Sequence, residues 1–558
     1  MSRGDMEQNE AVREAVRGTK ARHWHAKSDR VTASRTLYVV LGVATFLVTL
    51  IFFTRVCPLV PSDADDWGLM AKVRSGLPEW GGFNPAKVFP ETSLRLVNFL
   101  AAFCVMPFVG GDYVWSLVVA AAILASAFVA GYVLSFAWVL KRVLGCGTSA
   151  IVSATALFYL SHFVLLSHTG GGTIPFLLGT RDYTCVFHYT IPYLLCATVA
   201  MTLMCRGAAP EPKDGYKETP LGLAVLMLGI YLGMFSNLFL NIVLAAFSGA
   251  CLVASLAQIG ARERRAWTLG SFVRHNCFHF VILALWLASL AFELSGNRAS
   301  GALEGEGGSG FHLGAVLVDL HATLACLNRG TALLFLAVLA IALVLGRRNM
   351  DNSGKSASPF NLFARLPFVS IIWWLLAAAF IVLLSSVVDP YTQTVPPIRY
   401  YASRPDVLVS AVCPLLILCC MAFAYVVEKW RLANMLSLVV VFVVAVGAVG
   451  GIGRYEQPVR GNITAGQTLV SAEDMVAQVI AADKAGKSSV EVHVLAFHND
   501  YAYNWPLAPG LADGLAEDLY GAGVTSQRMT ITIVPDTAVN ARLGLPDDIG
   551  GSAVSAGQ

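Results

Sequence analysis

The apolar positions of this chain fall in long unbroken runs. Runs near the length of about 20 helical residues needed to cross a hydrocarbon core of about 30 Å occur at 37–55, 114–140, 150–167, 189–205, 221–237, 238–258, 277–293, 331–346, 367–388, 407–427 and 433–451. Only helices and closed barrels satisfy the backbone in lipid, and short connections between apolar runs suit helices. The pattern predicts an all-α polytopic membrane protein of about eleven transmembrane helices. The stretch from Leu221 to Leu256 is nearly twice one span, and we divide it at Ser236-Asn237, with Asn241 close by.

One further run, Leu94 to Val109, fits either a span or a surface helix, and charge decides between them. The segment 1–36 is a polar arm with eight Lys and Arg residues, which places it in the cytoplasm by the positive-inside rule. If 94–109 does not cross, Lys141/Arg142, Arg206/Lys213/Lys217, Arg262/Arg264/Arg265/Arg274, Arg347/Arg348/Lys355/Arg365 and Lys429/Arg431 all fall on the arm's side, in five short connections. If it does cross, every one of these clusters is exported. We therefore read 94–109 as an in-plane or re-entrant helix on the outer face. The expectation is a multi-pass plasma-membrane protein with a cytoplasmic N-terminus, a membrane domain at 37–453 and an extracytoplasmic C-terminus. The first run follows a long basic arm and lacks a small-residue cleavage site, so it reads as an uncleaved anchor.

Composition agrees. Hydrophobic residues make up 56% and charged residues 13%, against about 25% charged in a soluble domain. That excludes a soluble enzyme and a disordered chain. Twelve cysteines in 558 residues are too sparse for a disulfide scaffold. They form no CxxC, end at Cys420, and read as small apolar residues. A net charge of +3 gives no argument for nucleic acid.

The candidate chemistry lies in the outer loops 57–113, 168–188, 294–330 and 389–406. The first holds Asp63, Asp65 and Asp66, followed by Trp67. Clustered carboxylates suit a general base or a divalent-cation site (Mg²⁺ or Mn²⁺) formed by Asp65 and Asp66. Trp67 suits an interface anchor or a ring that stacks on a sugar. An ordinary polar loop that ends the helix fits the same residues. Arg95 opens the in-plane run and is placed to pair with the acids, to meet a phosphate, or to snorkel. In the second loop, glycines 170–172 precede Arg181, Asp182 and His188 at the lip of the next span, where they line a polar cavity or a flexible turn. In the third, Glu293 ends a span and needs a partner, for which Arg298 is the nearest basic residue. Leu313–Leu327 there is short for a span and reads as an amphipathic surface helix. In the fourth, Arg399, Tyr400 and Arg404 stand among prolines and suit a phosphate and a sugar face, or an aromatic belt. Within the spans there is no ladder of acids or lysines of the kind a proton relay needs.

Beyond Gly453 the composition becomes more polar. Ser471-Ala472-Glu473-Asp474 reads as the opening of a helix to about Lys484, Val490–Phe497 alternates like a strand, and a helix near 510–521 and a strand near 529–534 follow. The segment 454–558 is thus expected to be a small extracytoplasmic α/β domain. His493 and His498 are a weak metal signal. Tyr501, Tyr503, Asn504 and Trp505 cluster between two elements, and Asn462-Ile463-Thr464 matches a glycosylation acceptor.

A polar arm, one span, an outer loop opening on Asp65-Asp66, an in-plane helix, many further spans and an exported terminal domain together resemble polytopic bacterial membrane glycosyltransferases of the GT-C type. The likeness is one of layout over 37–451. It implies a polyprenyl-phosphate-linked sugar donor at the outer membrane surface and a cell-envelope glycan or lipid acceptor, as in polysaccharide biosynthesis. It also implies that Asp65 or Asp66 acts as base or metal ligand. A lipid or glycan flippase and a non-catalytic scaffold of envelope assembly are the competing expectations, and no cofactor beyond a candidate divalent cation is implied.

Overall fold

The computed structural model describes residues 35–62, 64–74, 83–167, 176–178, 183–207, 219–261, 268–294, 313–352, 360–387, 404–455, 463–496 and 510–545. Among these, nine helices are long and apolar enough to cross a membrane, and three shorter apolar helices join them. In chain order the helices are α1 (Arg35–Val56), α2 (Ala64–Ala71), α3 (Val88–Leu100, continuing in tighter and wider turns to Phe108), α4 (Tyr113–Arg142), α5 (Thr148–Val164) and α6 (Tyr183–Arg206). There follow α7 (Pro220–Met234), α8 (Ile242–Ala261), α9 (Leu269–His275), α10 (Cys277–Leu294), α11 (Leu313–Ala325), α12 (Arg329–Asn352), α13 (Phe360–Val387), α14 (Pro405–Lys429) and α15 (Arg431–Gly450). The C-terminal unit contains α16 (Ala465–Lys484), β1 (Ser489–Val494), α17 (Leu511–Gly521), β2 (Thr530–Pro535) and α18 (Thr537–Arg542).

Local chemistry explains the breaks. Asp112 caps α4 by accepting from Trp115 N (2.9 Å), and Thr219 with Pro220 opens α7, both favoured starts. The long apolar run divides as expected. Asn241 Nδ2 donates to Met234 O (2.7 Å) and Phe239 N to Asn237 Oδ1 (2.9 Å), so side chains replace the helical ladder between α7 and α8. The segment from Leu313 forms its own helix, α11. All twelve cysteines are thiols outside any disulfide.

Contacts between helix termini sort the bundle into two ends. At one, Lys87 N donates to Phe235 O beyond α7 (2.7 Å), and Ser410 in the opening turns of α14 reaches Phe239 O (3.3 Å). Ser167 N bonds Cys326 O and Asn328 N bonds Leu165 O (both 2.8 Å), tying the segments after α5 and before α12. Tyr455, just past α15, donates to Phe163 O (2.8 Å). At the other end, Gly147 N donates to Glu428 (2.9 Å) and Ser255 to Asn276 (3.1 Å).

The helix from Val88 to Phe108 is apolar and long enough to cross, and it meets the first turn of α4. Tyr113, the first residue of α4, donates to Asn98 (2.6 Å). An antiparallel hairpin turning at Gly110-Gly111 would leave these residues about 15 Å apart along the axis. Leu94, Val97 and Ala101 of this helix are buried, while Leu96, Leu100 and Phe103 are exposed.

The C-terminal unit sits at the first end. Its strands pair in parallel, Ser489 with Thr530 through Val494 with Pro535, and α17 forms the crossover between them. Val492, Val494 and Ile531 pack with Met475, Val479, Leu515 and Leu519. The strand and helix positions follow the sequence expectation closely. The start of α16 does not: Thr464 and Gln467 form a reciprocal capping box, so the helix begins ahead of Ser471, which is buried inside it. His493 faces Asp536 (3.0 Å). Asn462, His498, Tyr501, Tyr503, Asn504 and Trp505 lie outside the described residues.

Candidate functional site

The first outer segment is built around α2. The chain leaves α1 through a wide turn, Phe52–Val56, whose Phe52 packs on Phe163, Phe176 and Tyr455. It runs buried to Pro61 and then enters α2. Residues 61–68 were expected to be a loop with its acids side by side. A helix forms instead, and adjacent residues on a helix diverge by about 100°. Asp66 points inward and is fully buried, whereas Asp65 is exposed.

Asp66 binds two separate segments. Its Oδ2 accepts from Ser62 N (2.7 Å) and its Oδ1 from Thr184 N at the opening of α6 (2.8 Å). The carboxylate therefore pins α2 to α6. This corrects the expectation of a metal site shared by Asp65 and Asp66: the two groups face different ways, and both oxygens of Asp66 already take amide protons. Among the described residues no group of three or more metal-ligating side chains gathers.

Trp67 is fully buried and lies where α17 presses on α2. A Cβ on Gly514 would fall 2.8 Å from Gly68 N and 3.0 Å from the Trp67 carbonyl carbon. The indole is a packing residue there, which corrects its expected role as a sugar platform.

Arg95 is corrected likewise. It donates to Met70 O at the end of α2 (2.8 Å), approaches Asp518 of α17 (3.4 Å) and lies over Phe99 (4.5 Å). Its guanidinium is enclosed by protein, so it does not present a fork to a phosphate. Asp518 is fully buried and also contacts Asn98 and Tyr113. Burial pushes its carboxyl up to about 7, against the lowering pull of Tyr113, Arg95 and Asn98. Close by, burial and the neighbouring Asp112 raise the carboxyl of Glu473 in α16.

A second group of charges surrounds the opening of α6. Residues Val186–Thr190 there form a π-helical turn, a wide form that recurs at functional sites. Its residues serve two sides. Toward α3, His188 Nδ1 donates to Thr184 O (3.0 Å) and Nε2 faces Glu91 Oε1 (3.7 Å), while Arg74 binds the same oxygen at 2.7 Å. Toward α14, Arg404 clamps Asp406 through Nε (3.1 Å) and a terminal nitrogen (2.7 Å), lies 4.5 Å over Tyr189, and reaches Cys185 Sγ (3.7 Å).

Of the candidates from sequence, Asp65, Asp66, Trp67, Arg95, His188 and Arg404 thus lie at this end. Glu293 is there too, bound to Lys87 (2.8 Å); the pairing with Arg298 expected from sequence falls outside the described residues. Lys87 holds a left-handed backbone, φ 63°, that an ion pair and its Phe235 bond help retain. Asp63, Arg181, Asp182, Arg298, Arg399 and Tyr400 lie outside the described residues. Sequence reading missed Glu91, Asp406 and Asp518. Glu91 carried the signal of an acid in a helix's first turn, and Asp518 stands between Gly514 and Gly521 at helical spacing.

No family model matches this chain, and no curated protein and no solved structure matches it.

Proposed function

We propose that this protein is a multi-pass plasma-membrane glycosyltransferase that moves a sugar from a polyprenyl-phosphate donor to an envelope glycan or lipid acceptor. In this reading eleven helices cross, α3 lies in the plane, and the end bearing the C-terminal unit is exported. The alternating end contacts of α4 through α15 support that count, as does the position of Asn98 beside Tyr113.

One observation carries the reading. Buried and half-buried ionic groups (Arg74, Glu91, His188, Arg404 and Asp406) gather at the end where α2 presents its acids. The apolar runs hold no Lys, Arg, Asp or Glu apart from Arg55 and Glu293 at their edges. Lipid-linked donors bring a phosphate to one surface, and a one-sided charged centre suits that. A flippase needs a polar lane through the bilayer.

Asp65 is the better base, because its carboxylate is exposed. It takes the proton of an acceptor hydroxyl, the freed oxygen bonds to the anomeric carbon, and the bond from that carbon to the phosphate oxygen breaks with inversion. Asp66 keeps α2 seated on α6. The test is transfer by the full chain in nanodiscs supplied with polyprenyl-phosphate sugars and envelope acceptors. Asp65→Asn is expected to lose at least 100-fold in rate, on the order of a general base's contribution, with the thermal midpoint unchanged. Full transfer by that variant contradicts the assignment.

A further inference from the structure

The helix α17 meets the membrane part with one face: Gly514, Asp518 and Gly521 recur at helical spacing. Gly514 lets its backbone touch that of α2, and a Cβ at Gly521 would strike the Arg95 guanidinium. Between the two glycines, the Asp518 carboxyl enters a pocket of groups from three further elements. Arg95 and Asn98 come from α3, Tyr113 from α4 and Tyr183 from the opening of α6. The latter is within electrostatic reach of both Asp518 and Asp66. α2 adds its Met70 carbonyl, which takes the main bond from Arg95.

The protons in this pocket can be counted. Asp518, Asn98 and Tyr113 touch pairwise: Asp518 with Asn98, Asn98 with Tyr113 (2.6 Å), and Tyr113 with Asp518 (2.7 Å). Each contact joins two polar atoms and needs one hydrogen between them. Asn98 presents its amino group to one neighbour and its carbonyl to the other, whichever way the amide is turned, so it fills one contact. The tyrosine hydroxyl has one hydrogen and fills a second. An ionised Asp518 leaves the third with two oxygens, or an oxygen pair across a turned amide, facing each other without a proton. A protonated Asp518 closes the ring. Arg95 does not supply the missing hydrogen, because it reaches only Asp518 and Met70 here.

We infer that Asp518 is carried as the neutral acid and acts as a positioning residue for α2, so that docking of the C-terminal unit on the first outer segment is linked to one proton. The inference concerns docking and stands whether or not the protein transfers sugars. Its pH sense follows from linkage. Undocked, an exposed aspartate titrates near about 3.9; docked, burial raises Asp518 to about 7. The docked state holds the extra proton between those values. Docking is therefore strongest below the lower one, weakens by up to about tenfold per pH unit toward the upper one, and levels off above it.

The experiment is amide hydrogen exchange of peptides covering 64–71 in the full chain in nanodiscs, from pH 5 to 8.5, corrected for intrinsic exchange. Wild-type protection is expected to fall by up to about tenfold per unit up to pH 7 and then level, while peptides of α14 stay flat. Asp518→Asn offers an N–H where the acid offered its proton, closes the same ring without titrating, and is expected to keep high protection at every pH. Gly514→Leu keeps the carboxyl but blocks the approach, and is expected to lose protection at every pH. The inference is overturned by a flat wild-type profile. It is equally overturned by an Asp518→Asn profile that keeps the wild-type slope, or by one that exchanges like Gly514→Leu throughout.

Discussion

The two ends of the helix bundle spend their polar residues differently. At the end opposite the C-terminal unit, the described bonds between elements include two open to solvent, Gly147 with Glu428 and Ser149 with Asn434, and one buried pair of neutral groups, Ser255 with Asn276. The basic residues there, such as Lys141 and Arg142, lie at helix ends, where they set orientation and complement the helix dipole. At the end that bears the C-terminal unit, buried and half-buried side chains join segments far apart in the chain. Asp66 reaches Thr184, Glu91 reaches His188, Lys87 reaches Glu293 and Arg95 reaches Asp518. A buried charge removed from its partner is costly, so truncating Asp66 here is expected to cost more than removing an exposed charge at the other end.

Substitutions at the two ends test this contrast. Asp66→Ala leaves the amides of Ser62 and Thr184 without their acceptor. At about 1–3 kcal/mol for each buried unsatisfied group, the two amides together are expected to cost about 2–6 kcal/mol, read as a lowered thermal midpoint of the detergent-solubilised chain. A wild-type midpoint would mean that α2 is seated by packing alone. At the opposite end, Glu428→Gln removes an exposed carboxylate whose one amide bond water replaces. Its expected effect is within about 0.5 kcal/mol. A loss as large as that of Asp66→Ala would erase the difference between the ends.

Much of the fold was legible in the sequence, because burial in lipid needs only length and apolarity. The division at Ser236-Asn237 was readable since asparagine side chains compete with the helical ladder, and both tail strands showed their alternation. The described candidate residues gather at one end, but their pairing was not legible. Asp65 and Asp66 face different ways because α2 is helical, which Pro61-Ser62-Asp63 had concealed as a loop. Glu293 marked a need for a cation, yet its partner comes from Lys87, more than two hundred residues earlier, and no local pattern carries such a distance. Trp67 and Arg95 looked like ligand-facing groups because the sequence does not show that α17 covers them. The spacing of Gly514, Asp518 and Gly521 was the one local sign of that cover.

The account rests on the charged end facing the exterior. The direct measurement is labelling with a membrane-impermeant maleimide in intact cells, using Lys72→Cys at the charged end and Lys141→Cys at the other, with Cys104 and Cys277 replaced by serine. We expect Lys72→Cys to label in intact cells and Lys141→Cys only after permeabilisation. The reverse pattern would place the acids of α2 on the cytoplasmic side and contradict the account.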